Sequence, residues 1–598
     1  MTGRRASQRI TIDIENEPDL RKGPEGDIVQ VVDYDGKYQC YYEPVDLNRP
    51  ALLMDGGLEP DEAKPQFHQQ MVYAVTMKVI ESARRALGRP ITFHRPSARQ
   101  PRLRLFPHAF IGANAFFDSK LNAILFGYFR ASQSQPGPNL PGQCIFTCLS
   151  HDIIAHEVTH AIVHRLRQYF LEPTNADVLA FHEAFADLVA LFQRFSYRSL
   201  IIDELHESGG RVELSTWLVS LAQQFGLATG TGKALRSAIN QVDPRAMETE
   251  FEPHDRGAIL VSAIFGGFLR VVEHRTNELF RIASGGSGIK PPGRLPTDLV
   301  ARLASEVADV ADRVLRMCFR AFDYLPPVDV TFGDYLRALV TADFELSPDD
   351  RDELRFSMIE EFRLRGIYPE GVVSLAEKSL VLPSADYLPK LPREFEQHTF
   401  HLLALTASAL DWSARLRIRQ KQRLKARPSG RSALPGFEDA LRQYEELVLE
   451  PEQPEREQSE IARGLNKYAK QNAGALGLDP EYRILVAGFH PVFRIGRDQR
   501  LVVELVAQFV QTKDAPIRGG RGTRPLRGGV TVVFGADNVP RYAVGKSFLE
   551  KKLRYRQGAQ DEWLETLGLN DPRMPWSSPQ YRDEFFAKMT DLRRLHGG

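Results

Sequence analysis

A chain of 598 residues exceeds one ordinary domain, so two or three are expected. Lysine plus arginine balances aspartate plus glutamate at 77 each, which excludes the bulk charge that would draw nucleic acid or a membrane surface. The four cysteines (Cys40, Cys144, Cys148, Cys318) are too few for a disulfide framework. Cys144 and Cys148 could pair or join a metal site, and are read as two small buried thiols.

The first residues, MTGRRASQRITIDIENEPD, are polar and mixed in charge, without the apolar core of a signal peptide. The default compartment is therefore the cytoplasm, with non-classical secretion left open. Residues 1–60 read as a β-rich appendage, with IVQVVDYDGKYQCYYEPV forming a hairpin around Asp35-Gly36. From Lys64 to Leu87 apolar residues recur at helical spacing, and Gly88-Arg89-Pro90 ends the run. ITFHRP and PRLRLFPHAFIGANAFFDSKLNAILFGYF alternate and are rich in aromatics, which predicts strands and a hairpin at Asp118-Ser119-Lys120.

The chemistry is concentrated in residues 152–187, DIIAHEVTHAIVHRLRQYFLEPTNADVLAFHEAFAD. His156-Glu157-Val158-Thr159-His160 places two imidazoles four residues apart on one helix face, a spacing that grips a single zinc ion. Glu157 beside them is the candidate general base for a zinc-activated water. A third ligand is needed. Glu183 on a second helical run supplies it, and Asp187, one turn on, is placed to orient a ligating histidine through its other ring nitrogen. The alternative pattern of a Gly and a third His after the second His is excluded, because Val163 and Leu166 stand there. His164 drifts off the ligand face and reads as an ordinary helix histidine. Asp152, one turn before His156, favours the helix dipole and is a further candidate for orienting neighbouring groups. Further on, Ala258 to Val272 is apolar but interrupted by Gly266-Gly267 and Arg270; it is too short to span a bilayer and reads as a buried helix.

Four stretches in order give the chain a resemblance to the thermolysin-like neutral metallopeptidases, a branch of the gluzincins, over roughly residues 62–368. They are Asn114-Ala115-Phe116-Phe117 with Ile124-Leu125-Phe126-Gly127; Asp152-Ile153-Ile154-Ala155 leading into the HExxH, with Glu183 and Asp187 following; Gly232-Lys233-Ala234-Leu235-Arg236-Ser237; and His254-Asp255-Arg256-Gly257-Ala258-Ile259. Phe332 to Tyr368 resembles the helices that close the family's C-terminal subdomain, with a helix start at Ser347-Pro348-Asp349-Asp350. The resemblance implies an α+β catalytic domain (61–370) of two lobes, a mixed sheet-containing N-lobe and a mainly helical C-lobe. It implies peptide-bond hydrolysis with one Zn2+ held by His156, His160 and Glu183, and Glu157 as base. His254 would stabilise the oxyanion, Arg236 would bind a substrate carbonyl, and Tyr169 is the candidate for a further oxyanion donor. Asn114 (side-chain amide) and Ala115 (backbone) would hold the substrate as an added strand.

The chain also departs from that family. Its acidic calcium cluster would follow the third-ligand helix, but Arg194 stands where a carboxylate is expected, so the calcium site is expected to be absent. Residues 375–598 lie outside the resemblance and read as an additional α+β domain, with RLVVELVAQFVQT and RGGVTVVFGADNVPRYAVGK as strands. Its basic stretches, Arg415 to Arg427 and IRGGRGTRPLRGG, read as solvated surface and not as a nucleic-acid site, leaving a protein partner as its candidate ligand. The expected function is a zinc metalloendopeptidase acting on peptide or protein substrates, with no membrane partner. A catalytically silent scaffold on the same fold, or a delivered effector protease, are the alternatives.

Overall fold

The structure, a computed structural model, describes residues 10–17, 20–93, 102–134, 139–207, 242–288, 295–392, 395, 460–495, 501–516 and 523–566. Helices and strands mix throughout, an α+β architecture with two principal sheets. The first part of the chain carries β1 (Val29–Val31), β2 (Tyr34–Asp35), β3 (Cys40–Tyr41), α1 (Pro50–Asp55), α2 (Pro65–Leu87), β4 (Leu103–Ile111), β5 (Ala115–Asp118), β6 (Ala123–Arg130) and β7 (Cys144–Phe146). The sheet order is β1-β4-β6-β5, with β7 also pairing β6. The hairpin at Asp35-Gly36 exists but is two residues a side, closed by Asp35 Oδ1 accepting from Lys37 N–H and Tyr38 N–H. β1, expected as one of its arms, lies instead parallel to β4. The hairpin at Asp118 joins β5 to β6 antiparallel, with Asp118 Oδ1 accepting from Lys120 N–H and Leu121 N–H.

The helical part comprises α3 (His151–Leu166), α4 (Ala176–Phe195), α5 (Arg198–Glu207), α6 (Ala246–Thr249), α7 (Pro253–Ala283), α8 (Thr297–Arg320), α9 (Phe332–Phe344), α10 (Leu354–Leu364) and α11 (Glu377–Leu380). α7 contains the predicted apolar stretch but runs for 31 residues. Among the described residues it alone has the length and composition to cross a membrane, yet 72% of its most apolar window is buried inside the protein. There Phe265 and Phe268 pack on Phe192 and Phe195 of α4. The helix start expected at Ser347–Asp350 is displaced: α10 begins at Leu354, and the Asp350 carboxylate accepts from the N–H groups of Leu354, Arg355 and Phe356.

The last described segment holds α12 (Glu460–Gln471), β8 (Leu485–Ile495), β9 (Leu501–Pro516), β10 (Thr523–Gly535), β11 (Pro540–Lys546) and α13 (Glu550–Thr566), its strands forming an antiparallel sheet in the order β11-β10-β9-β8. Residues 415–427, and 517–522 of the second basic stretch, lie outside the described residues. This sheet is not held apart from the rest. Val533 and Tyr542 belong to the same apolar core as α3, α4 and α7. At Gly88, in the left-handed region (φ 67°), a Cβ would stand 1.8 Å from the Phe493 carbonyl oxygen of β8, so only glycine permits the approach.

A buried ionic network completes the contact. Asp323, fully buried in a single helical turn (Ala321–Tyr324), takes Arg89 (2.8 Å) from one side and Arg494 of β8 from the other. Arg494 also reaches Glu504 of β9 (2.7 Å), whose carboxylate accepts from Tyr324 OH (3.1 Å). Burial would raise the Asp323 carboxyl, but Arg89 and Arg494 overcome it and hold it far below the usual carboxylate range. Removing one member of such a network leaves a buried charge uncompensated. Asp323→Asn is therefore expected to cost about 3–5 kcal/mol of stability, read as a lower urea midpoint at unchanged slope. An unmoved midpoint would show that the network contributes nothing.

Candidate metal centre

α3 starts at Ser150, whose hydroxyl accepts from Ile153 N–H, and α4 starts at Asn175, whose side chain accepts from Asp177 N–H (2.7 Å). With these starts fixed, the two helices present His156, His160 and Glu183 to one another. All three are buried, and their ligand atoms lie within 4.8 Å of one another. The two histidine Nε2 atoms are 3.0 Å apart, and Glu183 Oε2 is 3.4 Å from His156 Nε2 and 3.5 Å from His160 Nε2. Donors held at zinc's usual 2.0–2.1 Å in a tetrahedron stand about 3.3 Å apart, so the spacing fits that ion.

The chemistry of the donor set fits as well. His156 Nδ1 is 2.9 Å from Asp187 Oδ1, which fixes the proton on Nδ1 and turns the Nε2 lone pair inward. His160 Nδ1 meets Nδ1 of His182 at 2.6 Å, so its outer nitrogen is also engaged and its Nε2 faces the group. Both Glu183 oxygens are buried without a hydrogen-bond partner. Burial would raise this carboxyl, yet the neighbouring His160 and His254 hold it well below the usual range. A buried, ionised carboxylate with two unpartnered oxygens is a donor that fits a metal cation.

Glu157, 2% exposed, points to the sheet: its Oε2 accepts from Phe117 N–H of β5 at 3.0 Å. β5 is an edge strand. Gly127 N–H of β6 donates to Asn114 C=O (2.8 Å), so strand alternation turns the peptide groups of Ala115 and Phe117 to the edge away from β6, where Glu157 lies. Asn114 and Ala115 therefore stand at the start of that edge. Burial pushes the Glu157 carboxyl up to about 8, with His156 opposing.

His254 enters from the first turn of α7. Its Nε2 is 3.4 Å from Glu183 Oε2 and its Nδ1 is 3.0 Å from Glu252 Oε1. Burial would lower its pKa, but Glu183 and Glu252 raise it to about 9, so it carries a proton at neutral pH. What brings α7 so close is Gly257, where a Cβ would lie 2.9 Å from the Ala180 carbonyl oxygen of α4. Arg256 clamps the same crossing through Asp177 (2.7 Å), whose other oxygen accepts from Phe332 N–H of α9 (2.8 Å).

Several expected residues fall elsewhere. Tyr169 sits beyond the end of α3, packed with Val328, Ala487 and Val510 under the Arg527 guanidinium (4.5 Å), and is not brought to the three ligands. Asp152 turns to His151 (3.3 Å) and Arg194 (3.5 Å) and does not orient the ligands. Arg236 lies outside the described residues. His182, Asp177, Arg256 and Gly257 were not anticipated from sequence. His182 is adjacent to Glu183, but its facing His160 depends on how α3 and α4 cross. No protein-family model matches the chain, and no curated protein or solved structure matches it.

Two outcomes are expected. Asp187→Asn, which keeps size but loses the charge behind His156, should weaken zinc affinity about 10–100-fold, measured by chelator competition; undiminished affinity would remove Asp187 from the site. Gly257→Ala should separate α7 from α4 and withdraw His254 from Glu183, lowering the His254 pKa from about 9, as read by an NMR titration; an unmoved pKa would show that Gly257 does not set the approach.

Proposed function

We propose that the chain is a zinc-dependent endopeptidase, built on the two-lobed plan of the thermolysin-like enzymes with the HExxH helix flooring the cleft. The observation that carries this reading is the hydrogen bond from Phe117 N–H to Glu157, which sets the base against the outer edge of β5. A peptide added to that edge as a further strand would run past Glu157 and the three ligands together. Recognition of an extended backbone belongs to peptide substrates and to few others.

His156, His160 and Glu183 would hold the ion, with Asp187 and His182 fixing the two rings. When bound, zinc supplies a Lewis acid for the scissile carbonyl and lowers the pKa of a ligated water. Glu157, in its ionised form, would take the proton of the attacking water and pass it to the leaving amine, a role that its pKa of about 8 makes stronger as pH rises toward that value. His254, protonated and anchored by Glu252, donates from Nε2 to the oxygen on which charge develops. Ala115 contributes its backbone and Asn114 its amide to substrate alignment. Arg236 keeps the carbonyl-binding role that the resemblance gives it. The guanidinium of Arg194 beside Asp152 supports a chain that does without the family's calcium, as befits a cytoplasmic enzyme. The sheet of β8–β11 remains the candidate surface for a protein partner.

Glu157→Gln separates binding from chemistry. The variant should retain its zinc and lose cleavage of an unfolded protein such as casein by about 100- to 10,000-fold. Cleavage at the wild-type rate would remove Glu157 as the base. A zinc-loaded wild type that cleaves no unfolded protein would defeat the endopeptidase reading itself.

A further inference from the structure

A second group of donors lies in the same half of the chain and takes no part in the chemistry above. His68 of α2, His108 of β4 and Cys148, in the single turn that precedes α3, are respectively 1%, 2% and 0% exposed, and one ligand atom from each lies within 4.8 Å of the others. His68 Nδ1 and His108 Nε2 face each other at 2.8 Å.

The outer nitrogens decide what those inner ones can be. His68 Nε2 lies 3.0 Å from the Glu62 carbonyl oxygen, which can only accept, so this nitrogen carries the proton. His108 Nδ1 lies 2.6 Å from Asp33 Oδ1, whose partner oxygen already accepts from the Gln69 amide (2.7 Å). A carboxylate there likewise fixes the proton on Nδ1. Two lone pairs are thus aimed at each other at hydrogen-bond distance, and something positive must lie between or beside them. A single extra proton would satisfy the nitrogens but gives the sulfur no part. A metal ion satisfies all three. The pattern also repeats that of the first centre, where His156 and His160 present inner nitrogens 3.0 Å apart and His156 leans on a carboxylate.

We propose that His68, His108 and Cys148 form a second, structural metal site, whose imidazole and sulfur donors suit zinc. It joins α2, β4 and the turn leading into α3, eight residues before His156. Asp33 and the Glu62 carbonyl hold the two rings in place, as outer partners do around zinc. The inference stands on its own residues and does not require the peptidase reading.

Sulfur distinguishes the two centres, because the first has none. The full-length protein should bind two equivalents of zinc. His160→Ala should keep one, Cys148→Ser should keep one, and the double variant none. With cobalt in place of zinc, the wild type and His160→Ala should show thiolate-to-cobalt charge-transfer absorption in the near ultraviolet, and Cys148→Ser should lose it. If Cys148→Ser does not fold, the cobalt spectra of the other two proteins still decide. A cobalt-loaded wild type without that absorption, or a single equivalent of zinc that His160→Ala abolishes, would overturn the site and leave a shared proton between the rings. Loss of metal at the first centre with the thiolate absorption intact would count against the peptidase reading alone.

Discussion

A carboxylate sealed from water without a well-formed hydrogen bond is among the costlier groups a protein can bury, and Glu183 is such a group. Three imidazoles surround it at 3.4–3.5 Å without hydrogen-bonding it well. The need to set positive charge against that carboxylate accounts for the packing around it. α3 and α4 must cross where their histidines and glutamate converge, and α7 must approach α4 closely enough for His254 to reach. The small side chains of Ala180 and Ala184 and the bare backbone of Gly257 allow the second approach, while the Asp177–Arg256 pair fixes its direction. None of these residues belongs to the group of candidate ligands. Together they decide where α4 and α7 meet and so where His254 stands.

The two histidine pairs show one physical solution used twice. In His156, His68 and His108 the ring nitrogen away from the centre faces an acceptor oxygen, which fixes the proton there and leaves the inner nitrogen its lone pair; His160 is instead engaged by the ring of His182. The pairs differ in what completes them. An oxygen donor, Glu183, completes the first, next to the carboxylate that meets the edge strand β5. At the second, the buried sulfur of Cys148 stands with two histidines whose rings pack on Phe146 and, for His108, on Tyr42, a setting that suits holding chain segments together.

Local periodicity made part of this legible. His156 and His160 share a face because a helix repeats every 3.6 residues, and Glu183 and Asp187 follow the same rule on their own helix. The edge strand and its hairpin could be read from alternation and the Asp118 turn. Tertiary relations were not legible. His68, His108 and Cys148 are separated by 40 residues at each step, and nothing local in the sequence joins them. β8 escaped notice because LVAGFHPVFRI has no period-two alternation: it is buried on both faces, and its register slips between Val486 and Gly488. β1 was mistaken for a hairpin arm because parallel pairing with β4 leaves no trace in a short segment. Tyr169 failed because the chain turns away at Arg167, which only the packing of Arg527 reveals.

The docking of β8 on the Ala321–Tyr324 turn carries a consequence for how the protein is made. Asp323 leaves the ribosome well before Arg494, its second counterion, exists. Roughly 170 residues separate them, which at ordinary synthesis rates is on the order of ten to thirty seconds. During that interval the nascent chain holds the core surface destined for Val533 and Tyr542 uncovered, and an acidic group with one arginine where it needs two. The helical part therefore cannot complete this contact until β8–β11 have been made. A chain stopped before β8–β11 are made would present that apolar and charged flank uncovered.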